Sequence, residues 1–477
     1  MDLCALLANV AVKKVLHYKE CAVSGVEADS RRVNKGFLFV CLTGGKADGH
    51  SFAEEAKARG AVALVTEREI ESDLPQFIVE NSRVALAVIS GNFYGNPASK
   101  LNIVTVVGTN GKTSTSDILS EIFSEAGYRT ATIGTLGFKV DGNRKEGTLT
   151  TPDPIELNRT LAEMLASGVQ YVFLEASAHA IYYHKLAGIK AKATIFTNLT
   201  QDHLDFFGTM ERYAAVKLSY FTHENTALAV VNSDDQYGRK ILLSERVPTI
   251  SYGMGNPADV FAIDVEEKED GLRFTINAFD QLAVIQTALS GFFNVYNIMA
   301  ATAVAMYFGV SLKTVTVALR NMKPVPGRYE KRMIRGRQVV VDYAHTPDGL
   351  SNLLSAVKKQ ATGKVITVFG CGGDRDRSKR PQMGNIASRF SDFTLITDDN
   401  PRYEEEAAIA EEIKSGVLAD STCEVVLDRA EAILRAFELS SVGDTIVIAG
   451  KGHETTMEIK GRKIPYNDFE ILEKLDR

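Results

Sequence analysis

The chain has 477 residues, 45% of them hydrophobic, which is enough to bury the cores of about two to four domains. Its formal net charge is −6 and it contains no long basic block, so the composition argues against a protein that coats nucleic acid. Its five cysteines are scattered and odd in number, which fits a reducing compartment better than a disulfide framework.

The first residues do not resemble a secretory signal. In MDLCALLANVAVKKVL an acid precedes the apolar stretch and two lysines follow it, the reverse of the usual charge order. No apolar run in the chain reaches the roughly 18 residues that a membrane span requires. We therefore expect a soluble, cytoplasmic protein without membrane insertion.

Residues 103–115, IVTVVGTNGKTST, predict a phosphate-binding loop. A β-branched run leads into a glycine loop, and the loop opens into a helical pattern, KTSTSDILSEIFSEAGY. In this arrangement backbone N–H groups and the helix dipole face an anion, Lys112 adds a positive charge, and Thr113 offers a hydroxyl to Mg²⁺. The loop is a shortened variant, because the longer pattern needs glycine where this chain has Val106. We infer that it binds a nucleoside triphosphate.

Two clusters of turn residues divide the chain. FYGNPASKLN lies directly before the strand of the phosphate loop, and NMKPVPGR follows a helix-like run. We predict an N-terminal domain over 1–98, a central domain over 99–326 and a C-terminal domain over 327–477.

Strand-length apolar runs in the second and third domains end in polar residues. YVFLEASAH, VVVDYAH and TIVIAGKGHE are examples, and helical patterns lie between such runs. This alternation predicts α/β domains in which parallel sheets carry helices on both faces. Ligands bind beyond the carboxyl ends of strands in such sheets, so the polar ends mark the expected site.

Three polar residues have competing interpretations. Glu175 ends a buried strand and could hold Mg²⁺ beside the phosphate loop, or cap a helix, or form an ion pair. His203 could be a metal ligand or a loop histidine satisfied by hydrogen bonds. Lys217 is typical of a solvated helix lysine, and nothing in its spacing singles it out.

The C-terminal domain carries three charged loops at predicted strand ends. They are GCGGDRDRSKRP at 370–381, DNPR at 399–402 and GKGHE at 450–454. Each alone could be a charged surface loop. Together their guanidinium and carboxylate groups predict a pocket for a zwitterion, with arginine for its carboxylate and an acid for its amine.

Long motifs in a fixed order make the chain resemble the Mur ligase family, in particular its MurE type, nearly from end to end. The matching segments are GTNGKTS (108–114), TTPD (150–153), TNLTQDHLDFFGTMERYAAVK (197–217), FNVYN (293–297), VPGR (325–328), VDYAHTPDGL (341–350), FGCGGDRDR (369–377), DDNPR (398–402) and AGKGHE (449–454). The resemblance implies a three-domain α/β architecture. The first domain would bind the UDP end of the substrate, the second would be a phosphate-loop ATPase on a parallel sheet, and the third, Rossmann-like, would receive an amino acid.

The resemblance also implies three sets of binding residues. For ATP they are Gly108, Thr109, Asn110, Gly111, Lys112, Thr113, Ser114, Asn294, Asn297, Arg328, Asp342 and His345. For the UDP-linked substrate they are Ser30, Gly45, Lys46, Ala47, Thr150, Thr151, Ser177 and Lys185. For the incoming amino acid they are Arg375, Asp399, Asn400, Pro401, Arg402, Gly450 and Glu454.

The resemblance reverses the interpretation of Lys217. The matching lysine of the family is carbamylated by CO₂, and a carbamate presents oxygens to Mg²⁺ where an ammonium would repel it. The implied catalytic set is Lys112, Glu175, His203 and Lys217, and the implied Mg²⁺ ligands are Thr113, Glu175, His203 and the Lys217 carbamate.

Two positions depart from the family pattern. Ala178 stands where the family has a serine, and Lys185 stands where it usually has an arginine. Lysine keeps the positive charge but loses the bidentate fork of a guanidinium.

The implied activity is ATP-dependent amide formation in cytoplasmic peptidoglycan precursor synthesis, by a monomer without a nucleic-acid partner. The γ-carboxylate of D-Glu in UDP-MurNAc-L-Ala-D-Glu would attack ATP, and the amine of meso-2,6-diaminopimelate would displace the phosphate. In the family the DNPR pattern accompanies diaminopimelate rather than lysine, and Arg402 would supply the cation for its far carboxylate.

Two alternative functions were weighed against this one. Folylpolyglutamate synthetase or another Mur ligase is disfavoured by the DDNPR, TTPD and TNLTQDHLDFFG segments. A phosphate-loop kinase or a nucleotide-binding regulatory module is the alternative of another class. A kinase would not need the three charged loops after residue 365 that suit an amino-acid ligand.

Overall fold

Three large β-sheets and a small hairpin organise the described part of the chain. The structure is a computed structural model that describes residues 1–44, 47–147, 149–255, 257–268 and 270–476. The large sheets span 12–79, 102–287 and 330–449, so each lies within one predicted domain. The exact boundaries near 98 and 326 stay a prediction.

The N-terminal sheet is mostly parallel. Its strands are β1 (Val12–Leu16), β2 (Gly25–Glu27), β3 (Phe37–Val40), β4 (Ala61–Thr66) and β5 (Gln76–Val79). Their order is β1-β5-β4-β3-β2, with β1 antiparallel to β5. The helices of this region are α1 (Leu3–Leu6), α2 (Ala53–Ala58) and α3 (Ser82–Phe93), with 3₁₀ turns at Ser30–Arg32, Gly49–Phe52 and Pro97–Lys100.

The central sheet carries the phosphate loop. Its strands are β6 (Asn102–Val107), β7 (Thr130–Gly134), β8 (Gly137–Val140), β9 (Asn143–Lys145), β10 (Tyr171–Glu175), β11 (Ala193–Phe196), β12 (Ala229–Asn232), β13 (Thr249–Tyr252), β14 (Val260–Lys268), β15 (Gly271–Ala278) and β16 (Gln281–Thr287). Their order is β16-β15-β14-β13-β12-β11-β6-β10-β7-β8-β9. The helices are α4 (Lys112–Glu125), α5 (Pro154–Ala166), α6 (Ala178–Tyr182), α7 (Leu204–Phe207), α8 (Met210–Leu218), α9 (Gln236–Ser244), α10 (Phe293–Tyr307) and α11 (Leu312–Asn321).

Antiparallel strands extend both ends of the central sheet, which the sequence analysis did not predict. The hairpins β7-β8-β9 and β14-β15-β16 form these ends, whereas β7, β10, β6, β11, β12 and β13 pair parallel. The Asp141-Gly142 turn between β8 and β9 has positive φ at both residues, as a tight hairpin requires. Within the central sheet, the parallel-sheet prediction is therefore confirmed for the strands around the phosphate loop and not for these hairpins.

The C-terminal sheet is parallel apart from its first strand. Its strands are β17 (Glu330–Ile334), β18 (Arg337–Asp342), β19 (Val365–Phe369), β20 (Phe393–Ile396), β21 (Cys423–Val425) and β22 (Thr445–Ala449), and β23 (Thr456–Ile459) and β24 (Arg462–Pro465) form the separate hairpin. The sheet order is β17-β18-β22-β19-β20-β21, with β17 antiparallel to β18. The helices are α12 (Pro347–Gln360), α13 (Lys379–Phe390), α14 (Glu406–Lys414), α15 (Arg429–Leu439) and α16 (Asp468–Asp476).

Strand β10 illustrates why the central sheet is buried on both faces. Tyr171 and Phe173 pack on the face of α4, where the rings of Phe123 and Phe173 lie 5.3 Å apart between centroids. Val172 and Leu174 pack on the opposite face with α5. Successive side chains of a strand point to opposite faces, so two helical layers require an unbroken apolar run. The predicted helices on both faces are confirmed here.

The described helices differ from a membrane span. In the part of the chain that the structure covers, no helix combines the length and the apolar character needed to cross a bilayer.

A buried ion pair anchors the last described helix to the C-terminal sheet. The Arg429 guanidinium donates to both carboxylate oxygens of Asp468 at 2.9 Å, and also to the Ala449 carbonyl oxygen at 2.9 Å. Both side chains of the pair are 0% exposed. Such a pair is costly to break, because the remaining charge stays buried without a partner.

Replacing Arg429 by alanine should lower the free energy of unfolding by about 3–5 kcal/mol. Urea denaturation followed by circular dichroism measures this change. The control is Arg435→Ala on the same helix, whose contacts with Glu424 and Glu438 are exposed and should be worth less than about 1 kcal/mol. Equal effects of the two substitutions would contradict the prediction.

Candidate active site

The predicted strand, glycine loop and helix at 103–115 are present. The loop joins β6 to α4, and Gly111 has φ +84°, a conformation that favours glycine. A Cβ on Gly108 would overlap Thr197 Oγ1, and a Cβ on Gly111 would lie 2.5 Å from Asn297 Oδ1. Both glycines are therefore required by close neighbours as well as by the turn.

Lys112 folds back over the phosphate loop. Its Nζ donates to the carbonyl oxygens of Gly108 and Thr109 at 3.0 and 2.9 Å. Burial lowers the pKa of Lys112, against the attraction of Glu175 and Asp202. The amine is thus held at the loop, where an arriving anion would favour its charged form.

A cavity of about 910 Å³ lies beside the phosphate loop. The predicted residues that line it are Thr109, Asn110, Gly111, Lys112, Thr113, Ser114, Thr150, Glu175, Ser177, His203, Asn297, Arg328, Asp342 and His345. They come from the central and C-terminal domains, and many follow the carboxyl ends of strands. These predicted residues thus converge at one edge of the sheet, and their roles in binding stay a prediction.

Side chains from the C-terminal domain reach the phosphate loop directly. Arg328 Nη2 donates to Thr113 Oγ1 at 3.1 Å, and Asn110 Nδ2 donates to Asp348 Oδ2 at 2.8 Å. The Arg328 guanidinium also lies 4.4 Å from the centroid of the Tyr343 ring, a cation–π distance. Contacts between the two domains therefore form part of the cavity wall.

Asp342 and His345 are fixed by backbone groups at the end of β18. Asp342 accepts hydrogen bonds from the N–H groups of Tyr329 and Ala344, both at 2.7 Å, while burial raises its pKa. His345 Nδ1 lies 2.9 Å from the Tyr343 carbonyl oxygen. These contacts orient the two side chains toward the cavity they line.

Asn294 supports Asn297 from behind. Asn297 Nδ2 donates to Asn294 Oδ1 at 2.9 Å, and Asn294 Nδ2 donates to the Ser290 carbonyl oxygen at 2.7 Å. Only Asn297 is among the residues that line the cavity. Asn294 thus stands one contact away from the position predicted for ATP.

Glu175 ends β10 as a buried carboxylate, 1% exposed. It accepts hydrogen bonds from the backbone N–H and the hydroxyl of Thr135, both at 3.0 Å. Among the described residues, Glu175 forms no ion pair with a lysine, arginine or histidine. A buried carboxylate that faces a cavity in this way fits a bound cation.

His203 begins α7 with φ +56° and lies beside Asp202. Its Nε2 is 3.3 Å from Asp202 Oδ2, and burial lowers its pKa to about 3. The ring is therefore neutral and able to offer a lone pair. Both earlier interpretations, a ligand and a satisfied loop histidine, are compatible with this contact.

The interpretation of Lys217 as a solvated helix lysine is wrong. The residue is 1% exposed, its Nζ donates to Thr109 Oγ1 at 3.2 Å, and it lies 4.3 Å from the centroid of the Tyr213 ring. Burial, reinforced by the nearby charge of Lys112, holds the pKa of Lys217 well below its usual value. Lys217 is buried because α6, α7 and α9 pack around helix α8.

Acidic, histidine and cysteine side chains alone do not form the metal site. Within the described residues, no three of them converge as a candidate ligand group. A magnesium site at the phosphate loop would therefore depend on Thr113 and Lys217 in addition to Glu175 and His203.

The residues predicted for the UDP-linked substrate fall in two places. Ser30 lies in a 3₁₀ turn and donates to Glu55 Oε2 at 2.8 Å. Ala47 is exposed, and Gly45 and Lys46 lie outside the described residues. Thr150, Thr151, Ser177 and Lys185 lie at the central domain. Thr151 is buried and bonds the Glu175 carbonyl oxygen at 2.7 Å, and Lys185 Nζ pairs with Asp153 at 2.8 Å.

A second cavity, of about 580 Å³, lies between the N-terminal and central domains. Its lining includes Arg83, Tyr183, Phe206 and Arg212, none of which the sequence analysis singled out. Arg83 lies 4.4 Å from the Tyr183 ring centroid and donates to the Thr43 carbonyl oxygen at 2.8 Å. The only sequence signal was a pair of aromatic doublets, YY at 182–183 and FF at 206–207.

Two of the three charged C-terminal loops contact each other directly. Asn400 Nδ2 donates to Asp399 Oδ1 at 2.8 Å and to Glu454 Oε2 at 2.9 Å. Lys451, whose side chain is 0% exposed, donates to Glu454 Oε2 at 2.8 Å. Sequence reasoning missed Lys451 as the cation that links the loops.

The arginines of these loops occupy different environments. Arg402 follows the buried Pro401, has φ +53°, and donates from Nη1 to the Gly373 carbonyl oxygen at 2.7 Å. Arg375 is exposed and donates to the Asp374 carbonyl oxygen. A Cβ on Gly450 would lie 2.7 Å from Asp399 Oδ2, so glycine is needed beside that carboxylate. The structure thus brings the three loops together. Their predicted residues are not among those that line the larger cavity.

Comparison with known proteins identifies the family. Three family models match in order: "Mur ligase family, catalytic domain" over 22–110, "Mur ligase middle domain" over 106–305 and "Mur ligase, glutamate ligase domain" over 327–452. The chain belongs to the Mur ligase family. The three models meet close to the predicted domain boundaries, although they do not define them.

Individual relatives in the family span almost the whole chain. The UDP-N-acetylmuramoyl-L-alanyl-D-glutamate–2,6-diaminopimelate ligase of Geobacillus kaustophilus is 41% identical and covers 98% of each chain. The protein of the same name from Syntrophomonas wolfei is 39% identical and covers 100% of this chain and 99% of its own. A solved structure of a ligase with this name is 31% identical, with a TM-score of 0.68, and covers 95% of this chain and 94% of the other.

The carboxyl group of Asp398, at the head of the DDNPR loop, has an unusual pKa. Burial, together with the charges of Glu406, Asp428 and Asp399, raises it to about 7 in spite of Arg429. The folded protein therefore keeps a proton that the unfolded chain releases near pH 3.8, so stability should fall as pH rises from there to about 7.

Replacing Asp398 by asparagine should remove this loss of stability. The gain in melting temperature of the variant over the wild type should be larger at pH 8 than at pH 5, because at pH 5 only the first part of the stability loss between pH 3.8 and about 7 has occurred. Thermal unfolding of the unliganded protein at the two pH values measures the difference. The exposed Asp420→Asn is the control, and a gain for Asp398→Asn that is independent of pH would refute the assignment.

Proposed function

We propose that this protein is an ATP-dependent ligase of the MurE type, which joins meso-2,6-diaminopimelate to the D-Glu γ-carboxylate of UDP-MurNAc-L-Ala-D-Glu. The observation that carries the proposal is the identity of about 40% over the full length to proteins named for this reaction. The family places it among ATP-dependent amide-forming ligases. We further propose that it acts as a cytoplasmic monomer in peptidoglycan precursor synthesis.

ATP would bind over the phosphate loop in the larger cavity. The loop N–H groups and the start of α4 suit its phosphates, and Lys112 supplies a point charge beside them. Asn297, Arg328 and His345 line the same cavity and offer donors to the nucleotide. Gly108 would act by shaping the loop, and Asn294 would act by supporting Asn297.

Magnesium fits the residues present at this edge. Thr113 would serve an ATP-bound ion, and Glu175, His203 and a carbamylated Lys217 would help hold a second one, with oxygen as the main ligand atom, as a hard cation prefers. When bound, the ion offsets negative charge on the phosphates. The buried Glu175 carboxylate, without an ion-pair partner among the described residues, supports this assignment.

Amide formation would proceed through two displacements. The γ-carboxylate oxygen of the substrate attacks the γ-phosphorus of ATP, so a C–O–P linkage forms, the β–γ bond breaks and ADP leaves. Lys112 and Arg328 offset charge on the transferring phosphoryl group. The neutral amine of the amino acid then attacks the acyl carbon, phosphate leaves, and the nitrogen releases a proton.

The amino acid would bind between the three charged C-terminal loops. Arg402 and Arg375 suit the two carboxylates of diaminopimelate, and Asp399 and Glu454 suit its ammonium groups. Asn400, Pro401 and Gly450 would shape the loops around these charges. L-Lysine lacks the far carboxylate and would leave Arg402 without an anionic ligand partner.

The UDP-linked substrate would extend from the N-terminal domain to the larger cavity. Ser30 and residues 45–47 would meet its uridine nucleotide, while Thr150, Thr151, Ser177 and Lys185 would hold the muramoyl-dipeptide. The second cavity supports this path, because its aromatic rings and the arginines Arg83 and Arg212 suit a base and a diphosphate. Lys185, in place of arginine, offers charge without a fork.

Purified wild-type protein should turn over ATP only when both UDP-MurNAc-L-Ala-D-Glu and diaminopimelate are present. We expect kcat/KM for diaminopimelate to exceed that for L-lysine by a factor on the order of a hundred or more, since lysine lacks the far carboxylate that Arg402 would bind in addition to Glu458, which lies 3.3 Å from its Nε. Phosphate release across an amino-acid panel measures both. Turnover that is indifferent to the amino acid would instead indicate a kinase or a hydrolase.

Arg402→Ala should remove most of this discrimination by lowering kcat/KM for diaminopimelate and leaving that for lysine almost unchanged. The matched control is Arg435→Ala, an exposed arginine of the same domain. Unchanged diaminopimelate kinetics in Arg402→Ala would exclude this arginine as the ligand of the far carboxylate.

Lys217 is the residue for which we propose a carbamate. Burial and the charge of Lys112 hold its pKa well below the usual value, which favours the neutral amine that adds to CO₂ with loss of a proton. The carbamate would return a negative charge and two oxygens to the phosphate-loop edge. Thr109, which accepts from Lys217 at 3.2 Å, links this group to the loop.

Lys217→Ala should lose nearly all ligase activity, and small carboxylic acids should restore part of it by supplying the missing oxygens. Activity of the wild type should also fall when CO₂ is removed. Lys240→Ala is the control, because that lysine also lies over a tyrosine ring but is exposed. Full activity of Lys217→Ala would end the carbamate proposal.

A further inference from the structure

Arg380, on α13, is a fully buried arginine behind the charged C-terminal loops. Its side chain is 0% exposed, and its guanidinium meets two carboxylates. It donates to Glu404 at 2.8 and 2.9 Å through two nitrogens, and to Glu412 at 2.8 Å through one. Its Nη2 also donates to the Gly372 carbonyl oxygen at 3.2 Å. The cluster therefore joins α13, α14 and two loops.

Glu404 holds those two loops together. The same Oε1 that receives Arg380 accepts the Asp374 backbone N–H at 2.6 Å, so one carboxylate joins the 370–377 segment to the DNPR segment. Three further contacts run in parallel: Gly373 N–H to the Asn400 carbonyl oxygen at 2.9 Å, Arg402 Nη1 to the Gly373 carbonyl oxygen at 2.7 Å, and Tyr403 N–H to Asp374 Oδ2 at 3.3 Å.

The joined loops carry strained backbone. Asp374 and Arg402 have φ +51° and +53°, in the left-handed region that residues other than glycine rarely adopt. Gly373 has no room for a side chain, because a Cβ there would overlap the Pro401 carbonyl oxygen. Strain of this kind persists only where surrounding contacts fix it, and the buried ion pair is the strongest of those contacts.

We propose that Arg380 and Glu404 are positioning residues that set the separation of Arg375 and Arg402, and with it the preference for an amino acid with two carboxylates. The proposal rests on the proposed function. Neither residue contacts the amino acid itself. Each would act by fixing one arginine-bearing loop against the other, since a ligand whose two carboxylates are each bound by one of these arginines tolerates little change in the distance between them.

Glu412 provides a control within the same cluster. It pairs with the same guanidinium at 2.8 Å but lies on α14, and its other contact is with the exposed Arg377. Removing its charge takes one carboxylate from Arg380 without cutting the link between Glu404 and Asp374. A merely structural role of the cluster would make Glu404 and Glu412 equivalent.

The experiment compares Glu404→Gln with Glu412→Gln in full-length protein, using diaminopimelate and lysine as substrates. We expect Glu404→Gln to raise KM for diaminopimelate by on the order of tenfold, with little change in kcat, in KM for ATP or in kcat/KM for lysine. Glu412→Gln should change KM for diaminopimelate by less than about twofold. Arg380→Lys, which keeps the charge and loses the fork, should fall between them.

Melting temperatures separate positioning from folding. Both glutamine variants should lose similar stability, so a KM effect confined to Glu404→Gln cannot come from misfolding. Equal KM values for diaminopimelate in the two variants would overturn the positioning role while leaving the proposed function intact. Failure of the wild type to ligate diaminopimelate would remove both, and that result is read from the wild type alone.

Discussion

The carboxyl ends of the central parallel strands all open on one side of the sheet, and the rest of the site depends on that constraint. Strand β6 delivers the phosphate loop there, β10 delivers Glu175, and the segment after β11 delivers His203. The parallel pairing of β10 and β11 with β6 brings residues nearly a hundred positions apart into one cavity. Helices cover both faces of the sheet and hold the strands in place. Each central strand is therefore apolar on both sides.

Burial of charge is the second physical theme of the site. Lys112 and Lys217 are both buried near the same loop, and burial lowers the pKa of each, reinforced by the charge of Arg328 for Lys112 and by that of Lys112 for Lys217. Nearby, Glu175 is buried and held only by the Thr135 amide and hydroxyl among its described contacts. A site with such groups is poorly satisfied without ligands, and anions at the loop together with a cation at Glu175 would complete it.

The C-terminal domain solves a different problem, the presentation of fixed charges on loops. Loops are ordinarily mobile, yet here buried cations hold them from behind: Lys451 links Asn400 and Glu454, and Arg429 bonds the Ala449 carbonyl oxygen just before the GKGHE loop. The charges that we propose face a ligand are thus supported by buried charges behind them. This division explains why so many arginines and acids follow one another in the DRDRSKR and DNPRYEEE segments.

The sequence by itself determined the elements whose signals are local. The glycine loop with its flanking strand and helix, the unbroken apolar strands and the three charged loops all depend on neighbouring residues and on backbone propensity, and each is present. The family motifs added the sets of residues that converge on the larger cavity. The Asp141-Gly142 turn of the β8-β9 hairpin also has a local sequence signal, Asp-Gly, which we did not use to predict a hairpin.

Only the tertiary structure decided the features that depend on distant partners. Lys217 has the sequence of a surface lysine, and it is buried because α6, α7 and α9 pack around α8. Arg380, Lys451 and the Arg83–Tyr183 contact are likewise invisible in a chain that offers many arginines, lysines and tyrosines. The physical reason is that desolvation and ion pairing are set by what surrounds a side chain in space, whereas periodicity and turn propensity are set by its neighbours along the chain.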